Sequence, residues 1–328
     1  MTGFLNALQG FLNALPGAVS QGLIWGIMAI GVYITYKILD IADLTVDGSF
    51  CTGGAVFVML FSAIPSDLGP VQATALMVLA LLAAMAAGML AGLVTGLLHT
   101  FCGIPAILSG ILTQLGLYSI NLAIMNMRAS QSIAVTDKEV VKRLLVSLGF
   151  LRMDRYPIYR HPVFVVGVFT LVIIGILYWF FGREIGAALR ATGANEAMSR
   201  AQGINTNVSK ILGLMIANGI VALSSAMFAH YQGAVDVNMG RGAIVIGLAA
   251  VIISQVIFGK LLRNFAAKLF GVALGAVIYY IVIQVVLWLG LNTNYLKMLS
   301  ALTVAIFLAI PFWKGKLDSR RKGGKSHA

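Results

Sequence analysis

The sequence predicts an all-α protein, a polytopic transmembrane helical bundle of about eight to ten spans with two interrupted helices and a short polar helix between two of the spans. Three observations carry this. Of 328 residues, 59% are hydrophobic and only 10% charged, with a mean hydropathy of +0.94, whereas soluble domains carry roughly a quarter charged residues. Residues 71–98, 101–127, 162–182 and 269–296 contain no Asp, Glu, Lys or Arg, and each run reaches the roughly 20 residues that cross a bilayer as helix. The ten-residue alternation of a membrane barrel is absent, which leaves helices as the spanning element.

At the N-terminus "FLNALQG" is followed by "FLNALPG", which sets Phe4, Leu5, Leu8, Phe11, Leu12 and Leu15 along one helical stripe. Residues 1–16 therefore read as an uncharged interfacial helix, without the basic start of a signal peptide. Apolar runs then place spans at 17–38, 48–64, 71–98, 104–127, 162–181, 211–231, 234–258, 269–289 and 297–313, some of which are open to being re-entrant or broken. Residues 17–313 form the membrane domain, with polar loops at 128–161 and 183–210, and 314–328 is a basic tail.

The net charge of +12 does not call for nucleic acid, because the basic residues sit in short loops and in the tail "KGKLDSRRKGGKSHA". Arg183, Arg190, Arg200 and Lys210 of one loop, Lys260, Arg263 and Lys268 of another, and the tail share one side in this count, which makes that side cytoplasmic and the protein a multi-pass protein of the cell membrane. The loop 128–161 pulls the other way, with seven Lys and Arg against three acids. Cys51 and Cys102 lie in apolar runs without metal-ligand spacing and read as small core residues.

Charges at membrane depth are costly and usually face a cavity or a partner. Two stretches carry them. In "IADLTVDGSFCTGG", Asp43, Asp47 and Gly48 interrupt an apolar run, and in "GAVDVNMGRGAIVIG" Asp236, Asn238, Gly240, Arg241 and Gly242 do the same. Both follow a loose pattern of Asp, aliphatic, polar, aliphatic and then Gly nearby, in opposite halves of the chain. Such pairs point to an internal repeat and a pathway near the bilayer midplane. The candidate lining residues are Asp43, Thr45, Asp47, Ser49, Asn121, Asn218, Gln232, Asp236, Asn238 and Arg241. The other reading makes each stretch a loop between two shorter spans, with its charges in water. Gln114, Ser224, Ser225 and Gln284 read as bonds between helices, and His230 as a packed histidine. No residue pattern points to a catalytic or metal site.

In "RATGANEAMSRAQGIN", Asn195 is a plausible N-cap, Glu196 suits the positive first turn, and Gly203 fits the left-handed residue that follows a helix. A helix of about two turns is unstable alone in water, so it needs a docking surface.

This stretch, continued by Thr206, resembles the cytoplasmic coupling loop of permease subunits of ATP-binding-cassette importers of the branched-chain amino acid and ribose type. The family pattern Gly-x-Asn-x-x-x-x-Arg-x-x-Gly-Ile falls on Gly193, Asn195, Arg200, Gly203 and Ile204. "ADLTVDGSF" is similar to the family's Asp-Leu-[Ser/Thr]-Val-x-Gly segment, and 218–253 looks most like the tryptophan, tyrosine or other amino-acid branch. The likeness runs from about Gly22 to Pro311, with Arg241 as a departure where a small or neutral residue is expected.

The resemblance implies a non-catalytic importer permease: a second copy of the chain completes the pore, and an extracytoplasmic solute-binding protein delivers a small solute. The solute would be an amino acid, aromatic or branched-chain, with a sugar or nucleoside as the alternative. Separate ATPase subunits, which carry the ATP and Mg, would dock on Arg190, Gly193, Asn195, Glu196, Arg200, Gly203, Ile204 and Asn205. The chain itself holds no cofactor and no phosphate-binding Gly-x-x-x-x-Gly-Lys-[Ser/Thr] loop. Two other classes compete: an ion-coupled secondary transporter using Asp43, Asp47 and Asp236, and an intramembrane enzyme using His230 and Asp236.

Overall fold

A computed structural model describes residues 2–64, 70–133, 162–259, 261–288, 298, 300–307 and 309. Its helices are α1 (Thr2–Tyr33), α2 (Thr45–Ser62), α3 (Pro70–Thr100), α4 (Ala106–Ile124), α5 (Pro162–Phe181), α6 (Glu184–Ala194), α7 (Glu196–Ala201), α8 (Thr206–Gln232), α9 (Ala243–Phe258) and α10 (Phe265–Trp288). The short strands β1 (Ser130–Ser132) and β2 (Ala234–Asp236) pair antiparallel, Gln131 opposite Val235. The chain is thus an all-α polytopic membrane bundle. Among the described residues, seven helices are long and apolar enough to cross a bilayer.

α8 is the central post, buried along most of its length from Thr206 to His230. Close approach against it needs small residues, because the apolar effect that drives helices together in water is lost in lipid and packing must take over. A Cβ at Gly88 or Gly92 of α3 would overlap the α8 backbone at Asn218 or Leu214. Gly22 and Gly26 likewise bring α1 close to Val277 and Ala273 of α10. One polar tie crosses this core between helices: the Ser224 hydroxyl of α8 donates to the Ile24 carbonyl of α1 at 2.7 Å. Trp25 of α1 stacks on Phe50 of α2 with centroids 4.8 Å apart, and Phe228 of α8 meets Trp25 edge-on.

Several sequence expectations shift. Helix α1 runs without a break from Thr2 through Pro16 into the first span. That span is the interrupted, bent one: it turns into a π-helix over Ile34–Ile38 and stops at Asp40, whose φ of 55° lies outside helical space. The second interruption is not a break inside a helix of 234–258. Gly233 (φ 72°) ends α8, β2 and a run of turns follow, and Gly242 (φ 87°) precedes an α9 of only 16 residues, too short for a full span. Cys102 is exposed, since it lies in the connector between α3 and α4, while Cys51 is buried. The loop 183–210 is mostly helical, because α6 precedes the expected short helix. Most of 128–161, part of the span 297–313 and the tail 314–328 lie outside the described residues.

Lys37 and Lys268 line one small cavity, Arg183 and Arg190 line another, and Gly193 packs on the Ile38 carbonyl. The basic residues therefore gather at the end of the bundle that carries α6 and α7. The β1–β2 pair sits at the other end of α8.

Candidate functional site

The two interrupted stretches begin with the same local device. Asp43 Oδ1 accepts the Thr45 N–H at 2.9 Å, and Asp236 Oδ1 accepts the Asn238 N–H at 2.7 Å, so each Asp closes a turn onto the residue two positions on. From there they diverge. Asp43 is 2% exposed, and its second oxygen accepts from Asn218 Nδ2 at 2.7 Å. Asn218 lies near the middle of α8, and its Oδ1 accepts the Ser49 hydroxyl. A hydroxyl chain continues outward, Thr45 to Thr95 of α3 at 2.6 Å and Thr95 to Thr113 of α4 at 2.9 Å. Four helices are thereby pinned around the first interruption at mid-depth of the central post.

Asp47 joins the two stretches. Its Oδ2 accepts the Gly242 N–H and its Oδ1 the Ile244 N–H, both at 2.9 Å, so a carboxylate on α2 caps the first turn of α9. α9 has no acid in its own first turn, and the aligned N–H groups there favour a negative partner. Gly240 makes the approach possible, since a Cβ there would overlap the Asp47 carbonyl. The Cys51 thiol, one turn along α2, donates to the Asp236 carbonyl at 3.6 Å.

Beside this junction lies a cavity of about 380 Å³ lined by Asp47, Gln114, Tyr118, Asn121 and Arg241, among others. Of the sequence-derived pathway set, the structure brings Asp47, Asn121 and Arg241 to this cavity and Asp43, Thr45, Ser49 and Asn218 into the buried network behind it. Asp236 and Asn238 form the adjoining turn. Gln232 stands apart, exposed at the far end of α8. Sequence reading missed Cys51 and Tyr118 as cavity-lining residues. Tyr118 is half-exposed in an apolar run, and nothing local distinguishes it from a residue facing lipid.

At the basic end, Asn195 caps α7 by accepting the Met198 N–H at 2.9 Å, and Gly203 has φ 81°. Asn205 caps α8 in the same way through the Val208 N–H at 3.2 Å. Ile204 donates its N–H back to the Ser199 carbonyl, and Arg190 is exposed on α6. Glu196 Oε1 pairs with Arg200 at 2.7 Å, and Oε2 pairs with Lys210 of α8 at 2.8 Å. The Thr206 hydroxyl also donates to Oε1 at 3.2 Å. The Lys210 hydrogen bond is the chief reason the Glu196 carboxyl lies below its usual range. Glu196 thus ties α7 to the start of α8. His230 is buried edge-on to Phe57 and Phe61, and among the described residues no three metal-ligating side chains converge.

Residues 15–310 match the family described as branched-chain amino acid transport system / permease component. The chain belongs to this family. It is a permease subunit of an ATP-binding-cassette importer, moving a small solute with power from a partner ATPase. Among curated relatives, the permease is 35% identical over 291 residues to the tyrosine transport system permease protein of Clostridioides difficile (strain R20291), covering 89% of each chain. It is 32% identical over 294 residues to an uncharacterized protein of Rickettsia prowazekii (strain Madrid E), covering 89% of the permease and 95% of that protein. A more distant likeness, 26% over 149 residues and 45% of the permease against 44% of the relative, is to the ribose import permease protein of Escherichia coli (strain K12). No solved structure matches. Membership of the family implies partners of two kinds, an ATPase and a solute-binding protein.

Proposed function

We propose that the permease imports an amino acid, received from an extracytoplasmic binding protein, through a pore completed by a second copy of the chain. The ends of the bundle are assigned by charge: the α6–α7 end carries Lys37, Arg183, Arg190, Arg200, Lys210 and Lys268, which puts it and the tail 314–328 in the cytoplasm of a cell-membrane protein. On this reading residues 1–16 lie at the outer interface and 17–313 form the permease domain. α7 is the coupling helix. Residues 190–205 present it to the ATPase, with Arg190, Gly193, Asn195, Arg200, Gly203, Ile204 and Asn205 shaping or flanking the contact and Glu196 holding it to α8.

The observation that carries the proposal is the Asp47 cap on α9. It couples the two interrupted stretches at mid-depth, beside a cavity, on a post whose first turn is tied to α7. Nucleotide-driven movement of α7 would pull on Lys210 and α8, and α8 bears on the Asp43, Thr45 and Ser49 network through Asn218. Asp47, Asn121, Asp236, Asn238 and Arg241 then line the path, with Gln232 near its outer mouth.

The likeness to a tyrosine transport permease supports amino acids over sugars as the cargo. The test is to co-purify the permease with its ATPase in mild detergent, reconstitute both with the binding protein, and ask which of a panel of amino acids, ribose and uridine raises ATP hydrolysis and enters vesicles. ATP-dependent uptake of an amino acid is expected. Uptake that persists without the ATPase and collapses with an ionophore would overturn the importer reading in favour of ion coupling.

A further inference from the structure

Beside the second interruption stand two polar groups that the described residues leave incompletely partnered. Asp47 is consumed by the backbone of α9, and Asp236 by its own turn. Arg241 has no carboxylate within ion-pair distance among the described residues, and its contact is the face of Tyr118, 5.9 Å from the ring centroid. A guanidinium one residue from the Asp47 junction stands at membrane depth, where an unneutralised charge is costly and is retained for a pathway or a partner.

The second group is on the opposite wall. Asn121 of α4 is 1% exposed, and its Oδ1 has no hydrogen-bond partner. A buried acceptor without a donor is uncommon in a native fold and calls for a ligand or water to complete it. Both groups line the same cavity of about 380 Å³, within the roughly 300–1,000 Å³ of small-molecule sites.

We infer that this cavity recognises a zwitterionic α-amino acid, with the Arg241 guanidinium holding the carboxylate and Asn121 Oδ1 accepting from the ammonium group. The guanidinium fork matches a carboxylate in two parallel hydrogen bonds. Tyr118 holds the underside of that fork and, with Leu115 and Val237, offers an apolar wall to the side chain. One cation and one acceptor make a weak site, suited to a solute that must leave again. The inference rests on the importer reading above and sharpens it: a sugar or a nucleoside has no carboxylate for Arg241.

The test uses the complete transporter with its ATPase and binding protein in vesicles, with radiolabelled amino acids, ribose and uridine as probes. Arg241→Gln lowers amino-acid uptake by about tenfold or more, the loss of one charge-assisted pair, while the ATPase still co-purifies with the variant. Asn121→Leu lowers uptake in the same way, and Asn121→Asp, which keeps an acceptor, recovers much of it. Where Arg241→Gln fails to assemble, Arg241→Lys serves: it keeps the charge, loses the fork and raises KM by at least about threefold. Wild-type uptake in both Arg241→Gln and Asn121→Leu, or an unchanged KM in Arg241→Lys, overturns the inference. So does a wild-type transporter that moves ribose or uridine and no amino acid, an outcome that leaves the importer reading intact. The importer reading itself falls only if wild-type uptake proceeds without the ATPase.

Discussion

Asp43 and Asp236 open their interruptions with the same turn, yet they stand in opposite circumstances. Asp43 is sealed among four helices, with its second oxygen on Asn218, whereas Asp236 is half-exposed at the end of a two-stranded ladder. The helix after Asp43 carries an acid in its own first turn, and the helix after Asp236 carries none. That acid, Asp47, is spent on the second helix. The two stretches are therefore unlike: one supplies the carboxylate and the other supplies the N–H groups that need it, which ties them together at a single residue.

The contrast is open to direct attack. Asp43→Leu should have the largest effect, because it strands the Thr45 N–H and one of the two Asn218 amide N–H groups in the core, at about 1–3 kcal/mol for each buried group left unpaired. The purified permease should melt well below wild type, or be recovered only as aggregate. Gly240→Ala comes next: its Cβ meets the Asp47 carbonyl, and overpacking of this kind costs about 1–3 kcal/mol. Combined with Asp47→Ala, which alone costs about 1 kcal/mol as a lost cap, the two effects should be less than additive, since each opens the same junction. Strict additivity in detergent melts would mean that Asp47 and Gly240 do not act together. Asp236→Ala, by comparison, removes one turn-closing bond beside water and should cost under about 1 kcal/mol. A loss equal to that of Asp43→Leu would erase the asymmetry.

The smallest effect belongs to the basic end. Because the folded-state pKa of Glu196 is lowered, its tie to Lys210 and Arg200 contributes stability above the ordinary carboxylate range and loses it as pH falls through the lowered value. Amide exchange in 196–210, corrected for the intrinsic pH dependence of exchange, should hold steady from pH 7 to about 5 and rise only below about 4.5. The carboxylate is 38% exposed on its side chain, so water screens the pair and the change should be modest. Glu196→Gln should flatten the profile.

How far the sequence spoke depends on how far each contact reaches. The caps at Asn195 and Gly203 were legible because an N-cap acts three residues along the chain and a left-handed residue acts at its own position. The long apolar spans were legible because bilayer thickness sets their length. The role of Glu196 was half legible. Its pairing with Arg200 is an i to i+4 spacing, but Lys210 reaches it only because the chain turns back at Gly203. The strand pair was not legible, since residues 130–132 and 234–236 are too short to show alternation.

By itself, then, the amino-acid order determined which segments enter the membrane, where the short polar helix starts and stops, and that two acidic stretches break the apolar runs, because composition and local hydrogen bonding carry that information. Only the tertiary structure decided what those breaks are for. Asp47 finds the first turn of α9 across 195 positions in the chain, and Asn121 and Arg241 come to line one cavity from segments far apart in sequence. No local rule carries such pairings. They arise because a half-buried carboxylate and a helix's unpaired N–H groups are each costly alone, and the packing of α2, α4 and α8 brings them together.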